Sequence, residues 1–303
     1  MSDALAPGLY LVATPIGNLG DITLRALEVL KQADRIACED TRQTQKLLNH
    51  FDITTPTVSY HEHNEFSRAP ELIGAIKDGK SVAVVSDAGT PGISDPGSVL
   101  VRGAIAAGVP VIPIPGANAA LSALVASGLP SEHFQFLGFL PEKTGARRSR
   151  LEDLAVQDRD SAETIVFYEA PHRIAGTLAD LESVFGPALR TAVARELTKI
   201  HEEFLRGTVA EVRAQLTSRD RIRGEFVVLI EAPVRKDLSA PGLDSQTWKG
   251  SPRPHESIAA RVARFQSESG LDEKEALKRL ARESGVSKSE LYRELQRERA
   301  RRR

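Results

Sequence analysis

The 303-residue sequence has one cysteine, one tryptophan and few aromatic residues of any kind, 5% in all. Because Cys38 has no second cysteine to pair with, a disulfide-stapled scaffold is excluded, and we expect a protein of the reducing cytoplasm. No run of 18 consecutive apolar residues occurs, so the sequence predicts no membrane-spanning helix and no membrane partner. The N-terminus has no basic segment before a long apolar run, and we expect no signal peptide.

Composition and charge indicate an ordinary globular protein with a distinct C-terminal end. The chain is 41% hydrophobic and 27% charged, which excludes fibrous and disordered classes. Residues 253–303 hold 14 Lys and Arg against 9 Asp and Glu, whereas the other residues hold 26 against 32. A basic end on an acidic body is typical of nucleic-acid binding, although an excess this small also serves solubility alone.

Apolar runs that alternate with amphipathic segments predict an α/β fold in two domains. Residues 1–125 read as an α/β domain with a parallel sheet, and residues 126–233 as an α/β domain with a mixed sheet. A Pro-, Gly- and Ser-rich stretch at 234–255 predicts a linker, and 256–303 a small basic helical domain. The predicted strands are 9–13, 35–38, 56–60, 81–86, 109–114, 135–138, 164–168, 191–194, 203–206 and 225–230. The predicted helices are 22–32 (with Asp21 as its cap), 41–50, 71–77, 99–107, 174–185, 209–216, 258–267, 273–283 and 287–297.

The segment Val84–Gly97, VVSDAGTPGISDPG, is the strongest candidate for a binding site. A buried strand ends at Asp87 and enters a loop dense in glycine and proline, which lets the backbone approach a ligand closely in one fixed shape. Ligands of open α/β sheets bind at the carboxyl ends of the strands. A surface turn would explain the bend, but not two aspartates that frame the loop.

Other strand ends carry similar segments, namely ATPIGNLGD, IPIPGANAA, TIVFYEAPHR and RELTKIHEE. The first lacks the glycine spacing of dinucleotide-binding and Walker loops, which argues against both. The cluster HEHNE has two histidines with no further ligand at a recognisable spacing, so we predict no metal and favour a polar loop that contacts substrate. In TIVFYEAPHR, Glu169 and Arg173 could also simply pair with each other.

Together these segments resemble the ribosomal RNA small subunit methyltransferase I family. VATPIGNLGDIT, EDTR, HEHNE, SDAGTPGISDPG, PIPGANA, FYEAPHR and RELTKIHEE occur in that family's order, from about Leu9 to Ile230. The resemblance implies that the chain is a bacterial 16S rRNA cytidine 2′-O-methyltransferase of the tetrapyrrole-methylase superfamily, and that it acts in the decoding region of the small ribosomal subunit. It further implies a homodimer that binds S-adenosylmethionine between its two α/β domains.

The resemblance also implies which residues form the site. Those expected to contact the cofactor are Pro15, Asp87, Ala88, Gly89, Thr90, Asn118, Ala119, Tyr168, Glu169 and Ala170. Polar or basic side chains, rather than the resemblance alone, lead us to expect RNA contacts at Asp40, Arg42, His61, Asn64, Arg147, Arg148, His172, Arg173, Lys278, Arg282, Lys288 and Arg293.

Methylation of a ribose hydroxyl requires an acceptor for its proton. Glu169 is the first candidate for this base and Asp95 the second, while Lys199 and Arg195 are candidates for lowering the pKa of the hydroxyl. Segment 274–297 is compatible with a helix-turn-helix, and a dimerising helical cap is the alternative. Two other functions remain open: a related methyltransferase with a tetrapyrrole or protein acceptor, and a non-catalytic RNA-binding or ribosome-assembly factor.

Overall fold

The computed structural model describes residues 5–95, 97–157, 159, 161–233, 272–284 and 295. The chain forms two compact units, Met1–Ser239 and Ala240–Arg303. The first unit holds two five-stranded sheets, and the second holds the described C-terminal helix. Within the described residues, no helix is long and apolar enough to cross a membrane.

The first sheet is entirely parallel, in the order β3-β2-β4-β1-β5. Its strands are β1 (Gly8–Val12), β2 (Arg35–Cys38), β3 (Thr57–Ser59), β4 (Ser81–Val85) and β5 (Val111–Ile114). Its helices are α1 (Leu24–Gln32), α2 (Thr41–His50), α3 (Glu65–Lys77) and α4 (Ser98–Ala106). One face packs on α1 and α2 and the other on α3 and α4. Because α1 follows β1 and α4 follows β4 on opposite faces, these neighbouring strands form a topological switch point.

The second sheet is mixed, in the order β6-β7-β10-β8-β9, with only the β6–β7 pair parallel. Its strands are β6 (Phe134–Phe139), β7 (Glu163–Glu169), β8 (Arg190–Arg195), β9 (Glu203–Thr208) and β10 (Phe226–Ala232). Its helices are α5 (Ala119–Ser127), α6 (Thr144–Ala155), α7 (Ile174–Phe185) and α8 (Val209–Thr217). Helices α6, α7 and α8 cover one face, and α5 covers the other.

In the C-terminal unit, helix α9 (Glu273–Ser284) begins where the Asp272 carboxylate accepts a hydrogen bond from the Glu275 N–H at 2.7 Å. Its apolar face buries Ala276, Leu277 and Leu280, as the spacing of three and four residues predicts. The predicted helices at 258–267 and 287–297 lie outside the described residues, except for Leu295.

The α/β fold confirms the predicted fold class, and several local expectations are wrong. The sequence does not predict helix α5, because its small apolar residues have almost no amphipathic pattern. Helix α1 is capped by Thr23, whose hydroxyl accepts from the Ala26 N–H at 3.1 Å, and not by Asp21. Helix α3 begins at Glu65 and not at 71. A turn at His61–Asn64 leads into it, and Pro70, which has no N–H, removes one helical hydrogen bond without ending the helix.

Candidate active site

A cavity of about 380 Å³ opens at the carboxyl ends of β1 and β4 and is closed on the other side by β7 and β10 of the second sheet. This is a volume typical of a site for one small molecule. Its lining comes from both sheets and consists of Ile16, Asp87, Ala88, Gly89, Thr90, Ile93, Ser94, Asp95, Asn118, Ala119, Phe139, Tyr168, Glu169, Ala170, Pro171, Leu197, Glu225, Phe226 and Val227. Nine of the ten residues predicted to contact the cofactor are in this set; Pro15, the tenth, is buried immediately before Ile16.

The glycine-rich loop after β4 is held against the turn after β1. The Thr14 N–H donates to the Gly89 carbonyl at 2.8 Å, and the Gly89 N–H donates back to the Thr14 carbonyl at 3.1 Å. Gly89 has φ +83°, a conformation that favours glycine, and a Cβ there would lie 3.3 Å from Ile16. The loop therefore meets the cavity with backbone groups in a fixed position.

Acidic side chains gather at this edge of the first sheet. Burial, together with the negative charges of Glu39 and Asp87, raises the pKa of Asp95 to about 6. The pKa of Glu39 is also raised, by burial first and then by Asp87. Asp87 accepts a hydrogen bond from the Asp40 N–H at 3.2 Å. Asp95 thus lines the cavity as a carboxylate that takes up a proton more readily than an ordinary aspartate.

Glu169, in contrast, is fully engaged inside the protein. Its buried carboxylate accepts hydrogen bonds from the Ala170 N–H at 2.8 Å and from the Thr177 hydroxyl at 2.6 Å. It also forms an ion pair with Arg173 at 3.0 Å, and Arg173 donates to the Leu140 carbonyl at 2.8 Å. These contacts tie the end of β7 to α7 and to the end of β6. Both carboxylate oxygens already face donors, which leaves Glu169 in a poor position to accept a proton from a substrate.

Lys199 and Arg195 lie beside the cavity but not among its lining. Lys199 forms ion pairs at 3.0 Å with both Glu196 and Glu225, and its stem lies where a Cβ on Gly17 would stand only 2.4 Å away. Arg195 donates to the Arg223 carbonyl at 2.7 Å. Both cations are therefore engaged with the protein itself, and Lys199 pairs with Glu225, which lines the cavity.

The described residues among the predicted RNA contacts differ in their surroundings. Asp40 caps α2 and pairs with the exposed Arg42, and Asn64 holds the turn at His61. Arg147 is buried, and its Nη2 forms an ion pair with Asp180 at 2.7 Å because α6 packs on α7, so the expectation of an RNA contact through its side chain does not fit this position. Exposed positions among the predictions include Arg148, His172 and Lys278. Arg173 is bound to Glu169. Lys288, Arg293 and the side chain of Arg282 lie outside the described residues.

Several lining residues carry no signal that the sequence analysis uses. Ile16, Ile93, Leu197 and Val227 supply apolar surface, which leaves no distinctive mark in a sequence. Phe139 lines the cavity and is 55% exposed. The isolated glycine before it, in FLGF, is the sequence feature that could draw attention to this position.

Known proteins resemble the chain in sequence and in fold. Residues 8–213 match the model of the Tetrapyrrole (Corrin/Porphyrin) Methylases. The Ribosomal RNA small subunit methyltransferase I of Halalkalibacterium halodurans is 48% identical over 284 residues, 94% of this chain and 93% of that protein. The protein of the same name from Synechocystis is 46% identical, over 94% of this chain and 95% of that protein.

Among solved structures, the fold is similar to that of uroporphyrin-III C-methyltransferase from Thermus thermophilus in complex with S-adenyl homocysteine. The TM-score is 0.50 at 21% identity, over 73% of this chain and 96% of that one. Fold and sequence relatives agree, and the near-complete coverage includes every motif that lines the cavity. The chain belongs to the tetrapyrrole methylases and, among them, to the ribosomal RNA small subunit methyltransferase I family.

Proposed function

We propose that the protein transfers a methyl group from S-adenosylmethionine to the ribose 2′-hydroxyl of a cytidine in 16S rRNA of the small ribosomal subunit. The observation that carries the proposal is the cavity that brings nine expected cofactor residues and the carboxylate of Asp95 together. The names of relatives at 46–48% identity support the rRNA acceptor, and the fold relative with bound S-adenyl homocysteine supports the methyl donor.

The cavity fits S-adenosylmethionine in size and chemistry. Apolar side chains such as Ile16 and Val227 offer a surface for the adenosine, and the backbone of the loop at Ala88–Thr90 offers hydrogen-bonding groups. The sulfonium and the amino group of this donor are cations. Asp87 and Asp95 give the edge of the cavity negative charge that complements them.

S-adenosylmethionine supplies a methyl group on a sulfonium: as the C–S bond breaks, the ribose oxygen bonds to that carbon and its proton passes to a base. The protein holds the acceptor in line with the donor, which by itself supplies much of the acceleration. We assign the base to Asp95, because its carboxylate lines the cavity and its pKa of about 6 lies closer to neutrality than that of an ordinary aspartate.

Glu169 then has a positioning role. Its bonds to Ala170, Thr177 and Arg173 hold the segment Tyr168–Ala170 against the cavity, and its carboxylate oxygens are taken up by these donors. Of the two candidates for the base, the engaged Glu169 is therefore the weaker and Asp95 the stronger.

RNA contacts outside the cavity require exposed cations, and Arg42 on α2, Arg148 on α6 and Lys278 on α9 are described candidates. Such contacts bind phosphates and make the affinity for RNA dependent on salt. We further propose that the protein is a cytoplasmic homodimer. We place its domain boundaries at residues 125, 233 and 255.

A methylation assay tests the function. The protein and labelled S-adenosylmethionine are incubated with small ribosomal subunits from a strain that lacks the family's enzyme, and the rRNA is digested and analysed by mass spectrometry. We expect 2′-O-methylcytidine. If the donor binds the protein but no label reaches RNA, the rRNA acceptor is refuted, and acceptors of the tetrapyrrole or protein class must be tested instead.

A further inference from the structure

Strand β6 contains an irregularity that redirects a phenylalanine. Phe136 pairs with Val166 and Phe139 pairs with Tyr168, so three steps along β6 match two steps along β7. The extra residue is a β-bulge, and it brings Phe136 and Phe139 to the same face of the sheet although an odd number of steps separates them. Gly138 lies in the bulge with φ +66°, and a Cβ there would stand 3.1 Å from the Ser94 hydroxyl of the glycine-rich loop. Bulges of this kind re-aim side chains beside active sites.

The redirected ring lies at the mouth of the cavity with much of its surface uncovered. Tyr168 meets Phe136 at 5.0 Å between ring centroids and Phe139 at 5.6 Å, with interplanar angles of 66° and 64°. Because the rings of Tyr168 and Phe139 are not parallel, their contact does not cover a full face of Phe139. The side chain remains 55% exposed, whereas the edge contact with Tyr168 fixes its place. An apolar ring held in position but left open to water is suited to stacking with a planar group.

The cavity itself has room for about one ligand of the size of the methyl donor, since 380 Å³ is near the lower end of the range for drug-sized ligands. The nucleoside that receives the methyl group must therefore stay at the mouth, with only its ribose directed inward. Enzymes that act on one nucleotide of a folded RNA splay it out of its stack and replace the lost stacking with an aromatic side chain.

We propose that Phe139 is the stacking platform for the base of the acceptor nucleotide, an inference that rests on the proposed function. Phe139 and Asp95 line the same cavity, and their chain neighbours Gly138 and Ser94 lie close together. A base on the ring can therefore accompany a ribose hydroxyl directed toward the carboxylate. A phenyl ring offers no hydrogen bond, so Phe139 holds the base without distinguishing cytosine from other bases.

The alternative is that Phe139 covers the adenine of the methyl donor, and the two roles differ in what they predict for Phe139→Ala. Stacking with the acceptor predicts a loss in kcat/KM for small ribosomal subunits of about 5- to 150-fold, with the Kd for S-adenosylmethionine unchanged within about twofold. Stacking with the adenine of the donor instead predicts that the Kd for S-adenosylmethionine rises by a similar factor.

The experiment measures both quantities for the wild type and for Phe139→Ala, Phe139→Leu and Phe139→Trp, using donor binding by calorimetry and methylation of subunits from a strain lacking the enzyme. We expect Phe139→Trp to restore kcat/KM and Phe139→Leu, which retains apolar volume but no ring, to remain impaired. Phe134→Ala is the matched control, because Phe134 is 42% exposed at the other end of the same strand, five residues from Phe139, and does not line the cavity.

The inference is overturned if Phe139→Ala methylates subunits as the wild type does, if its donor affinity falls in parallel with kcat/KM, or if Phe139→Leu is as active as Phe139→Trp. A change in oligomeric state or in melting temperature specific to Phe139→Ala also overturns it, since the loss would then come from assembly or folding. If the wild type itself leaves the subunits unmethylated, the proposed function fails instead, and this outcome is visible before any variant is compared.

Discussion

Replacing Glu169 with glutamine separates a structural role from a catalytic one. The side chain of Glu169 is fully buried and is bonded to Ala170, Thr177 and Arg173. Glutamine keeps the volume but removes the negative charge, so Arg173, 13% exposed, loses the carboxylate with which it forms its ion pair. The variant therefore leaves a nearly buried cation uncompensated.

The expected cost is large for a single substitution. Breaking one partner of a buried ion pair destabilises a protein by about 3–5 kcal/mol. For a unit of this size, each kcal/mol lowers the melting temperature by about 2–4 °C, so Glu169→Gln should melt about 6–20 °C below the wild type. Thr177→Val, which removes only the 2.6 Å hydrogen bond to the carboxylate, should cost about 1–3 kcal/mol.

Calorimetric melting, donor binding and single-turnover methylation are measured on the same preparations. The positioning role predicts a strong loss of stability and weaker donor binding, with turnover largely retained at saturating donor below the melting range. The pair Glu169→Gln and Arg173→Met should cost less together than the sum of the two, because the second change removes the uncompensated cation. The reasoning is refuted, and Glu169 is the base, if Glu169→Gln has the melting temperature and the donor affinity of the wild type but a turnover more than about 100-fold lower.

Two further predictions concern the edges of the cavity. Because Asp95 must be ionised to accept a proton and its pKa is about 6 in the free protein, kcat/KM should rise with pH through about 6 and then level off. Asp95→Asn should abolish this rise and, because burial disfavours the charged carboxylate, should melt higher than the wild type at pH 8. A pH profile that is unchanged in Asp95→Asn contradicts the assignment. Gly17→Val should lower the melting temperature by the equivalent of about 1–3 kcal/mol, because its Cβ would stand 2.4 Å from the Lys199 stem, whereas Gly74→Ala, with open space around it in α3, should be neutral or stabilising; equal effects of the two would refute the packing argument.

The sequence predicts the parts of the site that depend on local order along the chain. Parallel strands end at one edge, so the order of strands and helices is enough to place the polar segments after β1, β4 and β5 together. The role of Glu169 cannot be read in the same way. Its partners are Arg173 and Thr177, four and eight residues away, and through Arg173 the carbonyl of Leu140, just after β6. The sequence shows that such charges could pair. It does not show that the ion pair is buried, or that both carboxylate oxygens of Glu169 face donors.

The same limit applies to packing. The sequence does not predict helix α5 because Ala, Leu and Val lie on its buried and its exposed sides alike. Ala123 is buried, for example, whereas Val125 is 79% exposed. The bulge at Gly138 escapes because one extra residue changes the face of Phe139 without changing the apolar character of the strand. Period-two reasoning would place Phe139 opposite Phe136, away from Tyr168, and would leave the mouth of the cavity without an aromatic platform.

The charge at the edge of the cavity also restricts how RNA can approach. Asp87 lies close enough to Glu39 and Asp95 to raise the pKa of both, so this edge repels phosphates while it favours a cationic methyl donor. An RNA backbone that ran across the mouth would bring like charges together. A nucleotide splayed away from its neighbours avoids this, because its uncharged base and ribose enter while its phosphates stay outside. The acidic edge and the open aromatic ring thus favour the same substrate geometry for independent reasons, one electrostatic and one apolar.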